Sequence, residues 1–285
     1  MNARLVLESI DTVAELERGT DALRALVRRW TVNGQLRPHS ASDASAIHLM
    51  EAVRRQRKHL RETGVVRGYR TTSPIEREPR PLPSGWTWTR LGDVILSITG
   101  GGTPKRSNPE YWGGSIPWAS VKDLKDDKYL TDTEESLTPA GVENSSTRVI
   151  PPGRAIVCTR MGLGKIAINT VPVAINQDLK ALWLPDEVLL DYFYLWYQIQ
   201  DLDGTGTTVN GMKQDELLDL LLPLPPLGTQ MAMCQEADRL LRTIDVLEQK
   251  KQQRDVARSR LSKASLHALT AALTPDGVRD SWEKT

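Results

Sequence analysis

Cysteine, histidine and long apolar runs are scarce in this chain of 285 residues, and each scarcity removes a class of function. Cys158 and Cys234, the two cysteines, stand far apart with no second Cys or His at ligand spacing. That argues against a zinc site or a disulfide framework and fits a reducing compartment. The four histidines, His39, His48, His59 and His267, fall in predicted helices or linkers and suggest no pairing of a nucleophile with a base. No apolar stretch approaches the length that spans a bilayer; the longest, around Leu217–Leu227, is short and broken by prolines. The start, MNARLVLESIDTVAELERG, lacks a basic segment followed by an apolar run and is not expected to be a signal peptide. The expectation is a soluble, cytoplasmic protein with no metal and no cofactor.

A strong net charge is also missing. The formal balance of +1 hides an uneven distribution. Residues 1–80 carry fifteen Lys+Arg against ten Asp+Glu, residues 81–227 twelve against eighteen, and residues 228–285 ten against eight. A free-standing nucleic-acid binder shows a basic footprint. Here any positive surface has to be local, or phosphate contacts have to come from partner subunits.

Helical periodicity dominates both ends. Residues 1–63 read as a helical segment. Ile10, Val13, Leu16, Leu23, Leu26, Val27 and Trp30 recur largely at three- and four-residue steps, with Gly19 marking a kink or break. Asn33-Gly34 suits a helix C-cap. A second helix is predicted over Ala44–Thr63, after the cap-like Ser42-Asp43 and before Gly64, with a very basic later half. Residues 64–83, rich in proline and alternating charge, read as a linker with nothing to bury.

Residues 84–227 differ. Six of the eight tryptophans lie between Trp86 and Trp196. Strand-like runs appear at Ala155–Thr159, Ile166–Val171 and Leu179–Leu184, followed by a predicted core-facing helix at Glu187–Gln200. This predicts a mixed α+β domain with irregular loops, carried between long helices that can form coiled coils. From Thr229 to Leu273 the pattern predicts one long helix capped by Thr229, the spacer over 228–274, before a tail at 275–285. Met233, Ala237, Leu240, Ile244 and Leu247 alternate at four and three residues, the step of a coiled-coil seam. The same step then meets Lys251, Arg254 and Arg258 before Leu261, so the seam is interrupted; Leu266, Leu269 and Leu273 form a second apolar stretch. So long a helix needs another alongside it.

An ordered set of segments carries a family resemblance. LPSGWTWTRLGDV (82–94) is followed by GGTPKRSNPEYWGGSIPWASVKDL (101–124), PPGRAIVCTRMGLGKIAI (151–168), NQDLKAL (176–182) and LPLPPLGTQ (222–230). With the helical segment at 23–60, they resemble the specificity subunits of type I restriction–modification systems. The resemblance implies a DNA target-recognition domain over 84–227 followed by a spacer helix. It also implies a non-catalytic subunit that reads double-stranded DNA. Methylation would come from DNA methyltransferase (modification) subunits docked on the helical arms, and cleavage from a motor–nuclease (restriction) subunit. Typical members carry two recognition domains. A single one implies self-association into a homodimer reading a split, palindromic site, through the seam Met233, Ala237, Leu240, Ile244, Leu247 and Leu261. Pairing with a different specificity protein stays open. So does a decoy that binds modification subunits without reading DNA.

Within that frame, the glycine-rich loop 100–108 offers Thr103, Lys105, Arg106 and Ser107 to phosphates and Asn108 to a base edge, the alternative being an ordinary surface loop. Residues Tyr111–Trp118 read as core and turn rather than a base-stacking platform. Ser120 and Lys122 follow and can face a groove. Arg160 and Lys165 bracket a flexible turn suited to clamping phosphate, or a solvated hairpin. Asn176-Gln177-Asp178 reads as scaffold. The loop 204–213 adds Thr207, Thr208, Asn210 and Lys213 as further DNA-facing candidates. Two enzyme-like patterns fail. Asn108-Pro109-Glu110-Tyr111 departs from the Asn-Pro-Pro-Tyr motif of amino-methyltransferases and has no preceding glycine-rich S-adenosylmethionine loop. Gly162-Leu163-Gly164-Lys165 is too short for a phosphate loop, and Ile166 replaces its Ser/Thr.

Overall fold

The structure, a computed structural model, describes residues 9–36, 45–69, 72–125, 127–200, 202 and 211–272. It divides into two compact units, one of Met1–Leu26 with Asp238–Thr285, the other Val27–Ala237.

In the first unit the expected break at Gly19 is real. Helix α1 spans Ile10–Ala14 and α2 Gly19–Val32. Arg18, between them, has φ +57°, and a methyl on Gly19 would come within 1.8 Å of the Val13 carbonyl oxygen. Only glycine fits there. The long helix, Leu227–Ala272, enters this unit at Asp238. Polar contacts align it antiparallel to the N-terminal helices. Arg24 bonds Asp245 at 2.8 Å and also Glu248, Thr20 donates to Glu248 at 3.1 Å, and Lys251 donates to the carbonyls of Ala14 and Leu16 at 3.1 and 2.7 Å. Arg254 grips Glu15 with both guanidinium nitrogens.

This accounts for the interrupted seam and corrects its assignment. Leu240 and Ile244 are 4 % and 0 % exposed, and Leu23 on α2 is 2 % exposed. Met233 and Ala237, on the part of the long helix that belongs to the other unit, are buried too. The chain itself therefore covers these four seam positions, and Leu247 is half-buried. Lys251 and Arg254 replace the apolar step with carbonyl and carboxylate contacts to Ala14–Leu16. Beyond them residues 252–268 are all exposed, Leu261 at 69 %.

In the second unit, helix α3 covers Ala46–Glu62, with Ser45 as its cap and Gly64 (φ +73°) after its end. The proposed Ser42-Asp43 cap lies outside the described residues. The segment 64–83 is no loose linker. Tyr69 places its hydroxyl 2.7 Å from the carbonyls of Gly92 and Ile95, Thr72 bonds Asp93, and Ser73 bonds Asp219. Trp88 donates to the Arg80 carbonyl at 2.9 Å.

Three sheets appear among the described residues. Strand β1 (Thr87–Arg90) precedes a short helix α4 (Leu91–Val94) and β2 (Ser97–Gly100). A single 3-10 turn, Pro109–Tyr111, leads into β3 (Trp112–Ala119), then β4 (Tyr129–Leu130) and β5 (Glu135–Leu137). After α5 (Pro139–Glu143) come β6 (Val149–Ile150), β7 (Ala155–Cys158), β8 (Ile166–Asn169), β9 (Val173–Ile175) and β10 (Leu179–Trp183). Helices α6 (Leu190–Gln198) and α7 (Gln214–Leu218), strand β11 (Leu221–Leu224) and the long helix α8 complete the order. The sheets run β2-β10-β7-β8-β4, β5-β3-β9-β6 and β1-β11, with β3–β9 and β4–β8 parallel and the other pairs antiparallel.

Strand alternation divides the core. Val173 and Ile175 join Ile156, Cys158, Leu179 and Ala181 in one cluster, while Ala174 between them joins Trp118 and Leu137 in another. Buried polar side chains hold this frame. Asn169, 1 % exposed, receives the Arg154 amide at 2.8 Å and donates to the Pro151 and Val171 carbonyls at 2.9 Å. Gln230, fully buried, accepts from the Leu189 amide at 2.9 Å and donates to the Pro225 carbonyl at 3.0 Å, tying the start of α8 to that of α6. Both satisfy backbone groups that would otherwise be buried without partners. Helix α8 starts two residues before Thr229, which lies inside its first turn and does not cap it.

Candidate nucleic-acid interface

The glycine-rich loop leaves β2 pressed against the turn that follows β9. A methyl on Gly101 would come 2.0 Å from the Ile175 carbonyl oxygen, so close backbone approach fixes the loop's exit. The Trp118 indole donates to the Gly102 carbonyl at 3.1 Å, which makes Trp118 core, as expected. From this anchor the loop reaches a polar pocket of about 510 Å³. Its wall takes Thr103 and Arg106 from the loop, Ser120 and Lys122 from the turn after β3, Glu134 and Glu135 at the start of β5, and Asn176 and Gln177 from the turn after β9.

Arg106 is the best-held of these cations. It pairs in fork geometry with Glu135, one arm at 2.9 Å, and its guanidinium lies 4.0 Å from the centre of the Trp112 ring and 4.9 Å from that of Trp118. The hydrogen bonds to Glu135 raise the Arg106 pKa and hold the Glu135 carboxyl below its usual value. Thr103 donates to Gln177. Ser120 bonds within its own turn, its hydroxyl and amide both donating to Asp123, at 2.9 and 2.8 Å. Lys122 is exposed. Lys105 and Ser107 are exposed just outside the pocket, and Asn108 caps the Pro109–Tyr111 turn by accepting from the Glu110 amide at 3.2 Å.

A second group adjoins the first. Arg160 lies 3.5 Å from Asp178, next to Gln177 in sequence, and the Thr159 amide donates to the Asp178 carbonyl at 2.8 Å. The Met212 amide donates to Thr159 at 2.8 Å, which brings the end of the second glycine-rich loop beside Arg160; Lys213 follows, exposed, at the start of α7. Lys165 is exposed at the turn whose Gly162 abuts Val121, between Ser120 and Lys122. The described candidates thus share one rim formed by the loops after β2, β3, β7 and β9 and the segment before α7. Thr207, Thr208 and Asn210 lie outside the described residues.

Sequence reasoning missed Glu134 and Glu135, because nothing local marks them; the β3–β5 register, Trp118 opposite Glu135, delivers them. It read Gln177 as scaffold, yet Gln177 is exposed and faces Thr103. Asn176 behaves as read, accepting from the Asp178 amide at 3.0 Å.

A rim of cations, amides and hydroxyls is thus carried on loops over a buried β frame, with polar groups exposed for contact. Similarity to known proteins narrows the class. Residues 83–253 match the family model of the type I restriction modification DNA specificity domain, and the chain belongs to that family. It is 29 % identical over 184 residues to the MjaIX specificity subunit of Methanocaldococcus jannaschii, covering 61 % of this chain and 41 % of that one. Identity to the EcoR124I/EcoR124II specificity subunit of Escherichia coli is 32 % over 164 residues, covering 53 % and 40 %. The chain thus spans about two fifths of the length of these relatives. In fold it resembles the HsdS subunit from Thermoanaerobacter tengcongensis, with a TM-score of 0.52 at 20 % identity, covering 96 % of this chain and 58 % of that one. A chain from a structural study of type I R-M complex assembly and conformational transition gives a TM-score of 0.55 at 24 % identity, covering 76 % and 54 %.

Proposed function

We propose that this chain is a non-catalytic reader of DNA sequence for a type I restriction–modification complex, acting in the cytoplasm. The observation that carries the reading is the convergence of Thr103, Arg106, Ser120, Lys122 and Gln177 from separate loops around one polar pocket in the family's specificity domain. Amides and hydroxyls there suit base edges, and Lys105, Arg160, Lys165 and Lys213 suit the flanking phosphates. Domain boundaries follow the sequence pattern: a helical segment to residue 63, the recognition domain over 84–227 and the spacer helix over 228–274. The proposed partners are methyltransferase and motor–nuclease subunits. Two copies of the chain would present two recognition domains to a split target, pairing through the exposed stretch of α8 beyond Arg254.

A second reading, a docking or decoy protein, draws support from charge. The segment 81–227 is net acidic, and Arg106 and Arg160 already face Glu135 and Asp178. Methylation mapping of the host genome with and without the gene separates the two. Loss of a two-part methylated sequence on deletion is the expected result. An unchanged methylome, with modification subunits still bound by the protein, would sink DNA reading in favour of the decoy.

A further inference from the structure

Where β2 runs into the glycine-rich loop lies a second cavity of about 650 Å³, which contains no Asp or Glu in its wall and shares no lining residue with the first. Three arginines contribute to that wall from separate places: Arg67 after α3, Arg148 just before β6 and Arg154 just before β7. Thr99 of β2 and Ser146 add hydroxyls, and Trp183 at the end of β10 adds an aromatic wall. The Arg154 guanidinium sits 4.4 Å from the centre of the Trp183 ring. Its hydrogen bonds go to the neutral carbonyls of Pro152 and Gly153, at 3.5 and 3.2 Å. Among the described residues no carboxylate pairs with Arg67, Arg148 or Arg154, whereas Arg106 and Arg160 on the rim both have one. Partial burial lowers the Arg154 pKa, yet a guanidinium stays charged. A half-buried cation held only by neutral groups gains most from an anion.

We propose that Arg148 and Arg154, with Arg67 and the Trp183 wall, form a phosphate-binding site that takes a backbone phosphate of the DNA whose bases meet the rim. This rests on the DNA-reading proposal above. The DNA source is favoured by continuity. Gly100 lines this cavity and Thr103 lines the recognition pocket, only three residues further on and so within about 11 Å along an extended chain. Ser146 of the same cavity touches Gly102 between them; a methyl there would lie 2.1 Å from its hydroxyl oxygen. A phosphate seated here would fix the duplex while the rim meets base edges.

Calorimetric titration of the full chain with pyrophosphate at low salt tests the site itself. Arg148→Gln and Arg154→Gln should each weaken binding about tenfold, the loss of one charge-assisted contact. Exposed Arg148 keeps the test valid if the Arg154 variant misfolds. Pyrophosphate affinity unchanged in Arg148→Gln and in any folded Arg154 variant overturns the site. The source is tested with a duplex of arbitrary sequence, recording affinity against salt. Loss of that one phosphate contact in the double variant should lower the log–log slope by about 0.9. An unchanged slope with pyrophosphate binding lost overturns DNA as the source and points to a small phosphorylated ligand. No duplex binding by the wild type, with pyrophosphate still bound, counts against the DNA-reading proposal and against DNA as the source, while the phosphate site stands.

Discussion

Replacing Ile244 by alanine decides whether the seam of the long helix serves this chain or another. Ile244 is fully buried, Leu240 nearly so at 4 %, and the polar contacts that follow along the helix, from Asp245, Glu248 and Lys251, run to Thr20, Arg24, Ala14 and Leu16 of the same chain. Removing three carbons from such a site loses transfer energy and leaves a cavity, costing about 2–5 kcal/mol. Leu261→Ala on the same helix, 69 % exposed, should stay within about 0.5 kcal/mol. The assay is urea unfolding followed by circular dichroism at widely separated protein concentrations, with mass measured by sedimentation. Ile244→Ala should lower the midpoint by the same amount at each concentration and leave the mass unchanged. A stability loss that grows on dilution, or a fall in mass with an unmoved midpoint, would refute the reasoning, since both mean that a second chain covers the seam.

The Arg106–Glu135 pair sets a pH dependence at the recognition pocket. Because its partner lowers the folded-state pKa of Glu135, the pair's contribution is complete above the ordinary carboxylate value of 4.5 and fades as pH falls through the lowered value. Carboxyl-carbon NMR should place the Glu135 midpoint below 4.5 and show it moving back up in Arg106→Gln; an unmoved midpoint rejects the pairing. Gly101→Ala should destabilise the fold by about 1–3 kcal/mol, because the methyl meets the carbonyls of Ile175 and Asn176 at 2.0 and 2.2 Å; a wild-type melting temperature would count against that close approach. Burial pushes the Tyr69 phenol up to about 12, so its phenolate absorbance should be missing at pH 10.5 and appear only in stronger alkali.

Periodicity reveals most of the helical architecture because it is a local signal. The break at Gly19, the ends at Gly34 and Gly64 and the long C-terminal helix all follow from spacing and from residues that permit positive φ. What periodicity cannot supply is the partner. The seam Met233–Ile244 reads the same whether its cover is the chain's own N-terminus or another molecule, and Lys251 and Arg254 are understood only once Glu15 and the Ala14 carbonyl are beside them. The segment 64–83 hides its packing for a related reason. Tyr69, Thr72 and Ser73 bond to Gly92, Asp93 and Asp219, which are remote in sequence. At the interface, sequence motifs locate the loops but not their faces. Glu135 reaches Arg106 through strand register, and Arg148 and Arg154 meet across a cavity that no spacing announces.

The division of labour between loops and frame bears on how the proposed DNA reader can change its target. Among the described residues, every cation and amide on the rim stands outside the strands that bury Ile156, Val157, Ala167 and Val173. Substitutions at the rim's exposed positions without an ion pair, such as Lys105, Lys122 and Gln177, cost little, within about 0.5 kcal/mol each. The proposed reader can therefore change exposed rim residues without unfolding, whereas replacing Asn169 or Gln230 would strand the backbone groups they satisfy.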